Sequence, residues 1–72
     1  MKKDNARPKE VEACKRWLKS LRANKMKTIL RSSDEYDYWL KHRVEDWLRN
    51  IGPEHGMYIS ECSFNQAKKE LQ

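Results

Sequence analysis

Residues 33–52, SDEYDYWLKHRVEDWLRNIG, restrict the fold more than any other stretch, because they hold an apolar periodicity between a helix start signal and a stop signal. Tyr36, Leu40, Val44, Trp47, Leu48 and Ile51 recur at three- and four-residue steps, the spacing of one helical face rather than the alternation of a strand. At about 100° per residue they fall within an arc of roughly 120°, wide enough to seat against two neighbouring helices. Ser32 with Glu35 has the spacing of a capping box, and Ser33 or Asp34 can serve as N-cap instead. Asp34, Glu35 and Asp37 at one end and Arg49 at the other match the helix dipole. Gly52 supplies a C-terminal turn residue and Pro53 forbids continuation, so a helix over about 34–51 is expected.

Asp37, Lys41, Glu45 and Arg49 follow one another at four-residue steps with alternating sign, and on sequence grounds form a solvated ladder beside the apolar face. Two aromatics lie off the core arc. Trp39, on its edge, is expected to be covered by a neighbouring helix; Tyr38 points nearly opposite and is expected to face solvent or a protein partner.

A chain of 72 residues supports one small domain with a single core. The rest of the sequence supplies two helices to cover the central one. Pro8 suits a first helical position, Glu10 and Glu12 suit a first turn, and Val11, Cys14, Leu18 and Leu21 recur at helical steps, giving a helix over about 8–22. Ser60 is a good N-cap, Ile59 and Phe64 are spaced as a hydrophobic staple, and Phe64, Ala67 and Leu71 continue one stripe, giving a helix over about 61–71. Its outer face carries Asn65, Gln66, Lys68 and Lys69. Residues 23–31, ANKMKTILR, read as an irregular connection whose Ile29 and Leu30 tuck into the core. The expectation is therefore an all-α, three-helix domain over residues 8–72, preceded by a mobile tail over residues 1–7.

Charge is unevenly distributed. The formal net charge is +5, and between Ala13 and Ser33 the chain has seven basic residues and no acidic one: Lys15, Arg16, Lys19, Arg22, Lys25, Lys27 and Arg31. Like charges this close repel one another, so a polyanionic partner is one reading of the stretch, and a solubilising surface whose lysine stems lie over the core edge is the other. Phosphate contacts are expected from Lys15, Lys19, Arg22, Lys25, Lys27 and Arg31, and base-edge contacts from Asn65, Gln66 and Lys69 on the last helix. The connection over 52–59 is longer than the three or four residues of a helix-turn-helix, so base reading of that type is the weaker expectation.

No catalytic or cofactor chemistry is expected. His42 and His55 have no ligand partners at metal-binding spacing, and Gly52 and Gly56 do not make a phosphate-binding loop. Cys62 and His55 could approach as a nucleophile pair, yet no orienting or oxyanion element accompanies them. Cys14 and Cys62 are far apart, outside any CxxC, and follow no secretion signal, so reduced thiols in a cytoplasmic protein are expected. No apolar run is long enough for a membrane span, and nothing suggests a small-molecule substrate.

WLKSLRANKMKT, then SSDEYDYWLKHRVEDWL, then YISECSF resemble a group of small uncharacterised proteins encoded in bacteriophages and integrated mobile elements. The pattern of that group, a basic stretch followed by S-Y-x-L-K-H-x-x-E-x-W and Y-[IV]-S-x-x-x-[FI], is matched at Tyr38, Leu40, Lys41, His42, Glu45, Trp47, Tyr58, Ile59, Ser60 and Phe64. It covers about half the chain, with Asp37 where a small residue is usual and a longer loop before Tyr58. The resemblance implies a phage or mobile-element origin. Small proteins of that origin are commonly DNA-binding regulators or stoichiometric inhibitors of a host protein, CRISPR effectors included, so the resemblance implies one of these two roles. The leading expectation is thus a non-enzymatic nucleic-acid-binding protein, and the alternative an inhibitor that engages a host protein through Tyr38 and Trp39.

Overall fold

The computed structural model describes residues 6–50 and 57–72, which form helices and turns with no strand among them. In chain order they are α1 (Pro8–Lys19), α2 (Ala23–Leu30), a 3-10 turn (Asp34–Tyr36) leading into α3 (Asp37–Asn50), and α4 (Glu61–Leu71). The fold is all-α as expected, but with four helices among the described residues instead of three. The expectations placed on residues 1–5, on Ile51, on the Gly52 and Pro53 stop signal, and on His55 and Gly56 lie outside the described residues.

The extra helix arises because the first one ends early. After Lys19 the Ser20 hydroxyl donates to the Trp17 carbonyl at 2.6 Å, taking up an acceptor that the next turn would have used. Arg22 is then extended, at φ −65° and ψ 149°, and the chain restarts at Ala23. Residues 23–30 thus form α2 rather than an irregular connection. Ile29 is buried and Leu30 half-buried, so the expected crossing is made, but by a helix.

α4, not α3, is the element on which the others converge: it packs on α1, α3 and α2. Ser60 caps it by accepting from the Ser63 amide at 3.2 Å, and the staple residues Ile59 and Phe64 are both fully buried. Phe64 meets Trp17 of α1 with ring centroids 6.0 Å apart. Glu10 of α1 is buried beside this start, its Oε1 accepting from the Ser60 amide at 3.0 Å and the Ser63 hydroxyl at 2.8 Å. The carboxylate thereby pairs the N-cap amide of the incoming helix and the buried hydroxyl beside it.

α3 is turned on its axis by roughly 60° from the setting its apolar pattern predicts. Asp37, Lys41, Val44 and Leu48 are buried, while Leu40 and Trp47 are only half-buried and Tyr36 and Trp39 stand exposed. The expected surface ladder therefore faces inward along most of its length. Only Arg49 remains outside, and it pairs with Asp46 at 2.9 Å. Partners on α4 account for the turn. Lys68, assigned to the outer face on sequence grounds, is 2% exposed and reaches Asp37 Oδ1 at 2.8 Å, Asp34 Oδ1 at 3.3 Å and the Ser32 carbonyl at 3.2 Å. Asn65 donates to the other Asp37 oxygen at 3.2 Å.

At ordinary per-residue values a domain of this length has only about 4–11 kcal/mol of stability. Replacing Lys68 by Met leaves the Asp37 carboxylate buried without its counter-charge, a change that costs about 3–5 kcal/mol for pairs of this kind. Urea unfolding should show that loss for Lys68→Met alone, and a smaller one when Asp37→Leu is added.

Candidate nucleic-acid interface

The cations of the basic stretch divide by whether a carboxylate reaches them. Lys15 is engaged inside the fold, with its Nζ 2.8 Å from Glu70 Oε1 and 3.3 Å from Glu12 Oε2, a bridge from α1 to α4. The hydrogen bond that the ammonium donates to Glu70, then that to Glu12, holds it above its ordinary pKa, so Lys15 is the poorest of the expected phosphate contacts. Arg16, Lys19, Arg22, Lys25, Lys27 and Arg31 are all exposed, and none is in an ion pair among the described residues.

These six follow the chain around one corner. Arg16 and Lys19 occupy the last turn of α1, Arg22 is the N-cap of α2, and Lys25 lies in its first turn. α2 has neither a side-chain cap nor an acidic residue in that turn, so Arg22 and Lys25 add to the positive end of the dipole rather than offset it. Lys27 and Arg31, four residues apart, share a side of α2 and border a groove of about 740 Å³ whose apolar walls include Met26, Leu30 and Leu71. Lys25 is on the opposite side, one turn before Ile29. The basic stretch is therefore a band wrapping α2 rather than one straight edge.

The aromatic residues form a second surface. Tyr38 is exposed as expected, whereas Trp39, expected to be covered, is 67% exposed. Tyr36 and Tyr58 are also exposed. Tyr38 meets Trp39 edge-on at 5.3 Å between centroids and His42 at 5.1 Å. Under these rings runs Lys41, 4% exposed, its Nζ 4.5 Å from the Tyr58 ring centroid and 5.6 Å from that of Tyr38. Such contacts between a desolvated ammonium and ring faces hold both in place. Glu45 completes the cluster: its Oε2 accepts from the Ile59 amide at 2.9 Å and lies 3.6 Å from Lys41 Nζ, and its Oε1 is 2.9 Å from His42 Nδ1. Lys41 and Tyr58 were not readable as parts of this surface from sequence alone. The only signal was the ladder spacing itself, which sets Lys41 and Glu45 on one side of α3 but does not say which side is covered.

The residues expected to read bases are less available. Asn65 is half-buried and bonded to Asp37, Gln66 donates to Glu70 Oε2 at 2.9 Å, and Lys69 is exposed. Asn65 and Gln66 line a hollow together with Asp34, Asp37 and Glu61, whose carboxylates oppose an approaching phosphate. Cys14 is buried in the core, and burial, followed by the charge of Glu10, pushes its thiol up to about 12. Cys62 is exposed, and its suggested partner His55 is outside the described residues. Among the described residues no group of three or more His, Cys, Asp or Glu could hold a metal ion, and no helix is long and apolar enough to cross a membrane.

Burial pushes the Glu45 carboxyl up, but the Ile59 amide, His42 and Lys41 outweigh it and hold the pKa below its ordinary 4.5. A carboxyl depressed in the folded state stabilises above its unfolded pKa, and that contribution is lost as pH falls through the folded value. Glu45→Gln keeps an acceptor for Ile59 without the charge, so it should be destabilised by about 1 kcal/mol at neutral pH, with the deficit vanishing in acid below the carboxylate range. Thermal melts of both proteins from neutral pH downward check this. Comparison of the chain with protein-family models, with curated proteins and with solved structures finds no match in any of the three.

Proposed function

We propose that this protein is a non-enzymatic binding protein whose partner is a nucleic acid, engaged through Arg16, Lys19, Arg22, Lys25, Lys27 and Arg31. The observation that supports the reading is the clustering of cations that have no carboxylate at ion-pair distance. Among the described residues Lys9, Arg43 and Lys69 also lack one, but they lie singly on α1, α3 and α4, whereas the six residues of the band follow one another around the corner from α1 to α2. Unpaired charges concentrated at the start of a helix that is itself positive there repel one another until a polyanion supplies the counter-charge. Lys15 drops out of the binding set, and Asn65 and Gln66 become parts of the fold rather than base readers. A phage or mobile-element origin, suggested by the sequence resemblance, fits a small protein of this kind and forms part of the proposal.

A second reading has its own support. Tyr38 and Trp39, exposed on a pre-ordered cluster of rings, suit a protein partner, as in an inhibitor of a host protein.

The two separate in a salt titration. Phosphate contacts make log Kd rise with log salt by about 0.9 per phosphate on duplex DNA and about 0.7 on a single strand. Lys19→Glu with Arg22→Glu should abolish that binding while the melting temperature stays nearly unchanged, because both side chains are exposed. A salt-independent interaction, retained after nuclease treatment of the lysate and lost in Tyr38→Ala, favours the protein partner instead.

A further inference from the structure

Four of the seven aromatic rings in this chain are exposed, among them all three tyrosines. A small domain that needs every large apolar side chain for its core has little reason to leave an indole 67% outside. The four rings are also connected. Tyr38 touches Trp39, and Lys41 lies between Tyr38 and Tyr58. Tyr36 and Trp39 line one slot of about 280 Å³, closed on its far side by Thr28 and Ile29 of α2. The helix that forms the far wall of this slot also carries Lys25 and Lys27 of the cationic band, with Arg22 and Arg31 at its two caps. Lys25, one turn before Ile29, stands on the same side of α2 as the slot.

Resting on the nucleic-acid reading above, we infer that the bound strand is single-stranded, with bases stacked on Trp39 and Tyr36 and with the backbone running over the cations of α2. The reason is one of access. A duplex keeps the faces of its bases against one another and offers proteins only edges and phosphates, so exposed ring faces gain nothing from it. A single strand presents free base faces at the spacing of its phosphates, and surfaces that bind it combine aromatic platforms with a cationic track. Here the two meet across one slot. The edge-on contacts of Tyr38 with Trp39 and His42 restrict the platform before binding, which lowers the ordering cost. Charge complementarity selects the occupant: Lys25 stands on the slot's side of α2 and the cationic band continues around that helix, and an apolar protein segment would leave these charges unmatched.

The test uses the indole emission of the full chain, in which Trp39 is the exposed tryptophan, Trp17 is buried and Trp47 half-buried. An oligothymidylate of roughly 12 nucleotides, within the usual site sizes, is titrated in parallel with a duplex of the same length and with heparin, a polyanion without bases. The inference expects quenching by the oligothymidylate, and a loss of its affinity by roughly 5- to 150-fold in Trp39→Ala, the range of one base-stacking contact. It also expects Trp39→Phe to restore most of the affinity, and heparin binding to be the same in all three proteins. Equal binding of single strand and duplex, with no effect of Trp39→Ala on either, overturns the single-strand inference and leaves the nucleic-acid reading standing. Absence of binding to both at low salt overturns the two together. Quenching by an acidic peptide but by neither nucleic acid assigns the rings to a protein partner and overturns the inference.

Discussion

The Lys68 ammonium, enclosed at 2% exposure, decides how this small domain is assembled. A buried charge is tolerated only where its donors are met, and here Asp37, Asp34 and the Ser32 carbonyl receive them. All three acceptors come from one place, the junction between α2 and α3. Lys68 thus fixes the approach of that junction to α4, and Gln72 continues the seam by donating to the Leu30 carbonyl at the end of α2 at 2.8 Å. With Asp37 drawn inward, α3 has little rotational choice left.

That rotation links packing to the candidate interface. Turning Asp37 and Lys41 toward the core leaves Tyr36 and Trp39 exposed at the slot they share with α2. The same movement places Lys41 beneath Tyr38 and Tyr58, so the rings that face outward are held from within. The exposed aromatic surface is therefore a consequence of how a polar seam is satisfied, and the side chains that hold it in shape are charged ones. The described cations differ in what they do for the fold: Lys15 and Lys68 join elements through carboxylates, Arg7, Lys41 and Arg49 pair with carboxylates three or four residues away, and the band around α2 is in none of these ion pairs.

Helix identity was legible in the sequence where local chemistry decides it. The stripe of Phe64, Ala67 and Leu71, the Ser60 cap and the Ile59 to Phe64 staple mark α4 with the bounds observed. The start at Pro8 is likewise local, since a proline in the first turn loses no hydrogen bond there. The end of α1 was harder, because Ser20 stops it through a hydroxyl bond whose alternative, continuing the helix to Arg22, is nearly as good on propensity alone. α2 is harder to read for a related reason: its eight residues have neither a side-chain cap nor an acidic first turn, and so short a helix depends on tertiary support, here the burial of Ile29 and the Gln72 bond to the Leu30 carbonyl.

The sequence by itself determined that the described chain is helical, where most helices begin, and that its positive charge is gathered between Ala13 and Ser33, since periodicity, capping and composition act over a few residues. Only the tertiary structure decided which side of α3 is covered, which cations remain unpaired, and that Trp39 is outside. A helix whose apolar and charged stripes lie side by side can be seated on either one. The choice falls to the partners across the interface, and in this protein Lys68 and Asn65, some thirty residues further along the chain, make the charged stripe the better-satisfied one to bury.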